Sequence, residues 1–90
     1  RSIDDALFIQ YDFKEGGYVI NCMVFDMWGR PVRTLQRNML CGASGMFKWD
    51  GLDDQQKELP MGHYIVFVEG FNLKGDVKKH KQEVILARRR

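Results

Sequence analysis

Residues 17–64 read GYVINCMVFDMWGRPVRTLQRNMLCGASGMFKWDGLDDQQKELPMGHY and contain two short motifs. The first is VFDMWGR at 24–30, with Val32 after it, and the second is WDG at 49–51, with LPMGHY following at 59–64. Glycine tolerates a positive φ, so Gly29 and Gly51 each predict a tight turn. Pro31 fits the start of a strand or an edge, where a missing N–H does little harm. The stretch therefore alternates short apolar segments with turns.

Apolar side chains also alternate outside this stretch, and no segment keeps a helical period. Residues 7–13 and 18–24 each predict a strand with one buried face. Val19, Met23 and Phe25 make the second face of the second strand apolar too, so we expect that face to be partly covered. Further strands are predicted at 32–36, 46–49, 64–69 and 77–86, separated by loops at 38–45 and 50–62 and a turn at 72–76. This spacing predicts an all-β sandwich of about seven strands.

The two motifs resemble the immunoglobulin-like domain of the flagellar hook-capping protein. They look even more like the module that closes secreted lamin-tail-domain proteins of bacteria with type IX secretion. The resemblance covers nearly the whole chain, 2–88, and implies an immunoglobulin/fibronectin-III-like fold. The sequence departs from the family pattern at Gln56, near which a glycine is usual. We therefore expect either that Gln56 takes a positive φ or that the loop has a different shape. The residues that match the pattern as fold-making positions are Asp26, Gly29, Arg30, Trp49, Asp50, Gly51, Gly62 and Tyr64.

The family implies a non-catalytic structural or interaction module of a secreted or cell-surface bacterial protein, linked to type IX secretion or surface attachment. The expected location is secreted, at the outer-membrane surface or periplasmic. The chain has 90 residues and begins with Arg1. We therefore expect one domain, 1–90, that is the C-terminal fragment of a longer protein.

Charge is unevenly distributed along the chain. Residues 74–90 hold seven Lys or Arg and two acids, a net charge of +5, whereas 1–73 carry a net charge of −3. Such a basic end either contacts anions or protects an edge strand from aggregation, and the second interpretation is favoured. No nucleic-acid partner is predicted, because Arg88 to Arg90 have no aromatic residues between them. No apolar run is long enough to span a membrane.

Catalytic and metal sites find little support in the sequence. Ser2 and Ser44 lie outside any nucleophile-elbow pattern, and His63 and His80 lack a triad arrangement. The acidic loop does not have EF-hand spacing, so the carboxylates of Asp50, Asp53, Asp54 and Glu58 are interpreted as solvated rather than as calcium ligands. We predict no enzyme activity, no cofactor and no metal. Two free thiols are favoured over a Cys22–Cys41 bridge, because Cys22 lies among apolar residues of a strand.

The remaining candidate site is the turn that carries Trp28, where an aromatic side chain is not needed for core packing. Trp28 either folds back onto a sheet edge or forms part of a binding surface, and the sequence favours neither. We predict that it binds a protein or glycan of the cell envelope, or another domain of the parent chain. An aromatic next to an arginine is the composition of an interaction hot spot. A carbohydrate-binding sandwich is the alternative, and it requires exposed aromatics clustered on one face. The predicted surface consists of Phe25, Met27, Trp28, Arg30 and Phe71.

Overall fold

Six strands and no helix make up residues 7–87, the part of the chain that the computed structural model describes. The strands are β1 (Leu7–Asp12), β2 (Tyr18–Phe25), β3 (Pro31–Cys41), β4 (Ser44–Trp49), β5 (Gly62–Phe71) and β6 (Val77–Leu86). They form an antiparallel sandwich of a two-stranded sheet, β1-β4, and a four-stranded sheet, β3-β2-β5-β6. The predicted immunoglobulin/fibronectin-III-like β-sandwich is confirmed, with six strands in the described range where about seven were expected.

Some predicted features fall outside this range. Ser2 and the basic residues 88–90 are not among the described residues. Within 7–87, no helix is long and apolar enough to cross a membrane.

The core lies between the inner faces of the two sheets. Side chains alternate in direction along a strand, so every second residue of β2 and β5 points inward. Cys22 opposes Val68 and Val24 opposes Val66 in the register of these strands, and all four are fully buried. The two-stranded sheet closes the core from the other side with Ile9, Tyr11, Phe47 and Trp49.

Strand β3 is longer than the sequence predicted. The expected loop at 38–45 is wrong except at 42–43, because β3 continues to Cys41, which pairs with Tyr18, and β4 begins at Ser44. The register with β2 shifts between Ile20 and Cys22, and Asn38 takes a positive φ of 56°. The Asn38 backbone N–H donates to Asn21 Oδ1 at 2.9 Å. This irregularity breaks the apolar alternation along β3, which is why the sequence predicts that the strand ends at Gln36.

Both cysteines are free thiols in the structure, with Cys22 buried and Cys41 partly exposed. Cys41 pairs with Tyr18, which precedes Cys22 by four residues on β2. At the rise of a β-strand this offset is about 13 Å, whereas a disulfide requires Cα atoms within roughly 7 Å. The strand register therefore keeps the two thiols apart.

Candidate interaction site at the Trp28 turn

Asp26 organises the turn between β2 and β3 through its backbone and its carboxylate. The Asp26 carbonyl accepts from the Gly29 N–H at 3.0 Å, and the Asp26 N–H donates to the Arg30 carbonyl at 2.9 Å. Gly29 has a φ of 82°, a conformation that favours glycine. Asp26 Oδ1 also accepts from the backbone N–H groups of Trp28 and Arg30, each at 2.9 Å. The backbone of the turn is therefore held by four hydrogen bonds centred on Asp26.

The Arg30 side chain closes the same arrangement from outside. Its Nε donates to Asp26 Oδ2 at 2.7 Å. Burial alone raises the pKa of the Asp26 carboxyl, but the hydrogen bonds and charge of Arg30 and the N–H of Trp28 outweigh it and lower that pKa. Asp26 thus remains ionised in the folded protein, where it keeps the turn in one shape.

Trp28 is presented outward by this rigid turn. Its side chain is 81% exposed, and the neighbouring Met27 is 54% exposed. The Arg30 guanidinium carbon lies 5.5 Å from the Trp28 ring centroid, within the range of a cation–π contact. The contact restrains the ring without burying it, so a partner meets an aromatic surface that is already oriented.

A cleft of about 480 Å³ lies beside the turn. One wall is the turn itself with the start of β3, and the other is the segment 59–64 that leads into β5. That second wall is fixed by the Tyr64 hydroxyl, which donates to the Pro60 carbonyl at 2.6 Å. A tyrosine that bonds back to the chain a few residues upstream is a recurrent corner of immunoglobulin-like sandwiches. The residues lining the cleft are Asp26, Met27, Trp28, Arg30, Pro31, Val32, Leu59, Pro60, Met61, Gly62, His63 and Tyr64.

The WDG motif lies beneath this region and forms part of the core. Trp49 is fully buried, packs edge-on against Tyr64 with ring centroids 5.4 Å apart, and donates from Nε1 to the Leu52 carbonyl at 3.1 Å. Asp50 Oδ1 accepts from the Leu52 N–H at 3.1 Å, and Gly51 takes a φ of 81°. Each residue of the motif thus has a local contact that shapes the loop after β4.

The acidic loop uses its carboxylates for backbone contacts. Asp53 Oδ1 accepts from the N–H groups of Gln55 and Lys57, and Asp54 Oδ1 accepts from the Thr34 N–H at 2.9 Å. Arg33 Nη1 reaches Asp50 Oδ1 at 3.0 Å. Among residues 7–87 no group of three or more potential ligands could hold a metal ion. These contacts give the acids a local structural task.

Phe71 does not join the other members of the predicted surface. Phe25 pairs with Ile65 at one end of the four-stranded sheet, whereas Phe71 pairs with Val19 at the other. The six-residue offset along β2 separates Phe25 from Phe71 by about 20 Å. The prediction that Phe71 lies near Trp28 is wrong, because sequence alone does not reveal the register between β2 and β5.

Two polar contacts near the site have no signal in the sequence. His63 Nδ1 lies 2.6 Å from Glu83 Oε2, a contact between β5 and β6. Arg33, besides its contact with Asp50, donates to the Leu52 carbonyl at 2.8 Å and so attaches the WDG loop to β3. Both contacts join residues that are well separated along the chain, so only strand pairing brings them together.

Comparison with known proteins finds a similar fold among solved structures. No protein-family model matches the chain. No curated protein matches it either. Among solved structures, the chain is similar to the crystal structure of FlgD from P. aeruginosa, with a TM-score of 0.73 and 18% sequence identity. The match covers 94% of this chain and 65% of that FlgD chain, so this chain spans less than two thirds of its length. The likeness concerns the fold, and this chain has the β-sandwich fold seen in FlgD.

Proposed function

We propose that this chain is a non-catalytic interaction module that docks a protein through the Trp28 turn and the cleft beside it. The observation that carries the proposal is an aromatic side chain, 81% exposed, on a turn that four hydrogen bonds hold rigid. An exposed tryptophan has a large apolar surface to bury on binding, and a fixed turn lowers the entropy lost. Met27 and Met61 add adaptable apolar contacts on either side of the cleft.

The partner proposed is a protein of the bacterial cell envelope or another domain of the parent chain. A protein is favoured over a glycan because the exposed aromatics are dispersed. Trp28 and Phe71 lie at opposite ends of the four-stranded sheet, and Phe8, 57% exposed, lies on the two-stranded sheet. A glycan platform usually needs several aromatic rings side by side, whereas one tryptophan beside an arginine suffices as a protein hot spot.

The proposal of a non-catalytic role is supported by how the polar side chains near the cleft are used. Asp26 holds the turn, Tyr64 holds the opposite wall, and His63 contacts Glu83 outside the cleft. Each of these groups makes a structural contact.

The experiment is a pull-down from a bacterial envelope extract with the wild-type chain and three variants: Trp28→Ala, Phe8→Ala, and a chain in which Lys78, Lys79 and Lys81 are neutralised. Trp28→Ala should lose the partner, whereas Phe8→Ala, which removes an exposed aromatic from the other sheet, should retain it. Equal retention by wild type and Trp28→Ala contradicts the proposed face. Loss only on neutralising Lys78, Lys79 and Lys81 would move the binding site to β6. A glycan array with wild type, Trp28→Ala and Phe8→Ala tests the carbohydrate alternative.

We further propose a location at the cell surface and a link to type IX secretion, which rest on the resemblance of the two motifs to lamin-tail-domain proteins. The test follows the full-length parent protein in bacteria with and without a functional type IX system. Surface display that needs both the system and this domain supports the proposal. Display that survives removal of either contradicts it.

A further inference from the structure

The outer face of the four-stranded sheet carries an apolar cluster on its two central strands. Phe25 and Met23 of β2 lie directly opposite Ile65 and Phe67 of β5, and all four point away from the core. They remain partly exposed. An antiparallel sheet with one face on the core usually has polar residues on its other face. Here the two central strands are apolar on their outer face at these four positions as well as on their inner face, which is the arrangement expected where a partner covers the sheet.

Strand β6 adds opposite charges beside the cluster. Glu83 lies opposite Ile65, and Lys81 lies opposite Phe67. The outer face thus has two neighbouring rows: one runs Phe25, Ile65 and Glu83, and the other runs Met23, Phe67 and Lys81. The rows match in polarity, since each has two apolar residues followed by a charged one, but the charges that end them are opposite in sign.

Because of this order, the face is complementary to itself. Consider a two-fold axis that lies between two stacked copies, parallel to the sheet and perpendicular to its strands, and midway between the two rows. Rotation about this axis would place each row over the other row of the second copy. Ile65 would then lie over the second copy's Phe67, and Glu83 over the second copy's Lys81. Each contact occurs twice, as in an isologous interface.

The rows on either side of the cluster fit the same operation. His63 precedes Ile65 by one outward position on β5, and Glu69 follows Phe67 by one. The two-fold axis relates these positions, so His63 of each copy would approach Glu69 of the other. No pair of like charges is brought together by the operation among these positions of β5 and β6.

We propose that this outer face, centred on Met23, Phe25, Ile65 and Phe67, is the interface of a symmetric homodimer of this chain. Two sandwiches would then stack through their four-stranded sheets, with apolar side chains in the centre and Lys81–Glu83 pairs on the flank. The cluster is small, so the dimer is expected to be a weak one. It does not depend on the Trp28 proposal, although Phe25 borders both surfaces.

The test measures the association of the 90-residue chain by sedimentation velocity at concentrations up to about 1 mM. Wild type should shift from monomer to dimer as concentration rises. Lys81→Glu and Glu83→Lys should each weaken the homodimer by about tenfold or more, because each variant opposes like charges twice. Lys48→Glu makes the same charge change on the outer side of β4 and should leave association unchanged.

A mixture of the two charge variants is the decisive measurement. In a mixed dimer both flanking contacts again join opposite charges, so Lys81→Glu and Glu83→Lys chains should associate with each other more tightly than either does with itself. Circular dichroism confirms that each variant folds, and Trp28→Ala should dimerise like wild type. A wild type that stays monomeric overturns the proposal. So does a mixture no tighter than its components, or an equal effect of Lys48→Glu.

Discussion

Asp26 holds Arg30 through both of its carboxylate oxygens: Oδ1 accepts the Arg30 backbone N–H at 2.9 Å, and Oδ2 accepts Nε at 2.7 Å. The aspartate and arginine of the VFDMWGR motif are thus one structural unit. It orders the turn whose tip is Trp28, and it shows why the two residues are spaced four apart.

Acid should weaken the fold through Asp26. The pKa of its carboxyl is lowered in the folded state from the ordinary value of 3.8. A lowered pKa stabilises the folded state at pH values above the ordinary pKa, and this contribution is lost as pH falls through the folded-state pKa. Asp26→Asn should therefore flatten the decline of unfolding free energy between about pH 5 and pH 2. Urea denaturation across that range measures it, and Glu15→Gln, in an exposed turn, controls for net charge. An unchanged slope in Asp26→Asn contradicts the prediction.

The two tryptophans should differ sharply in their effect on stability. Trp49 is buried in the core and has no solvent exposure, so Trp49→Ala should lower the free energy of unfolding by about 3–5 kcal/mol. Trp28 is 81% exposed, so Trp28→Ala should change stability by less than about 1 kcal/mol. Thermal and urea unfolding of both variants test this difference. Similar melting temperatures for the two variants would show that Trp49 is not a core anchor.

Replacing Gln56 by glycine should stabilise the protein. Gln56 has a φ of 67° in the turn where its N–H donates to the Asp53 carbonyl at 3.0 Å. A left-handed conformation costs a non-glycine residue about 1–2 kcal/mol, and glycine's larger entropy loss offsets part of the gain. Gln56→Gly should therefore add about 0.5–1 kcal/mol, a rise in melting temperature of a few degrees. Gln55→Gly, one residue earlier and without a positive φ, should give no such rise.

Gly70 should not tolerate even a methyl group. A Cβ built on it would lie 2.6 Å from Phe13 Cε2 and 3.1 Å from Ile20 Cγ2. Overpacking of this kind costs about 1–3 kcal/mol, so Gly70→Ala should lower the melting temperature by several degrees. Gly42→Ala is the matched control, since nothing lies within 4 Å of its Cβ and its φ is not positive. If both variants melt together, Phe13 moves aside without cost.

The two thiols should react at different rates. Burial raises the pKa of the Cys22 thiol to about 12, and its side chain is fully buried. The thiolate is the reactive form, so Cys22 should resist a thiol reagent in the folded protein. Cys41 is partly exposed and should react first. One fast thiol before denaturation and two after it, without reductant, is the expected count. Fewer than two in the denatured monomer would indicate a bridge.

Much of the fold follows from the sequence because its signals are local. Apolar alternation predicts strands, since successive side chains of a strand point to opposite faces. Gly29 and Gly51 mark the turns that need a positive φ, and Phe47 and Trp49 share one face of a short strand, which predicts that both are buried. For Gln56 the family pattern left two alternatives, a positive φ or a changed loop, and the structure shows the positive φ.

The register between strands was decided by tertiary structure alone. It separated Phe71 from Trp28, brought His63 to Glu83, and placed Lys81 and Glu83 beside the apolar cluster. It also extended β3 to Cys41 through the irregularity opposite Ile20 and Cys22. Alternation shows which face a residue takes, but it is the same at every even shift of one strand past its neighbour. The choice among those shifts depends on how whole side chains pack across the sheets, which no local stretch of sequence contains.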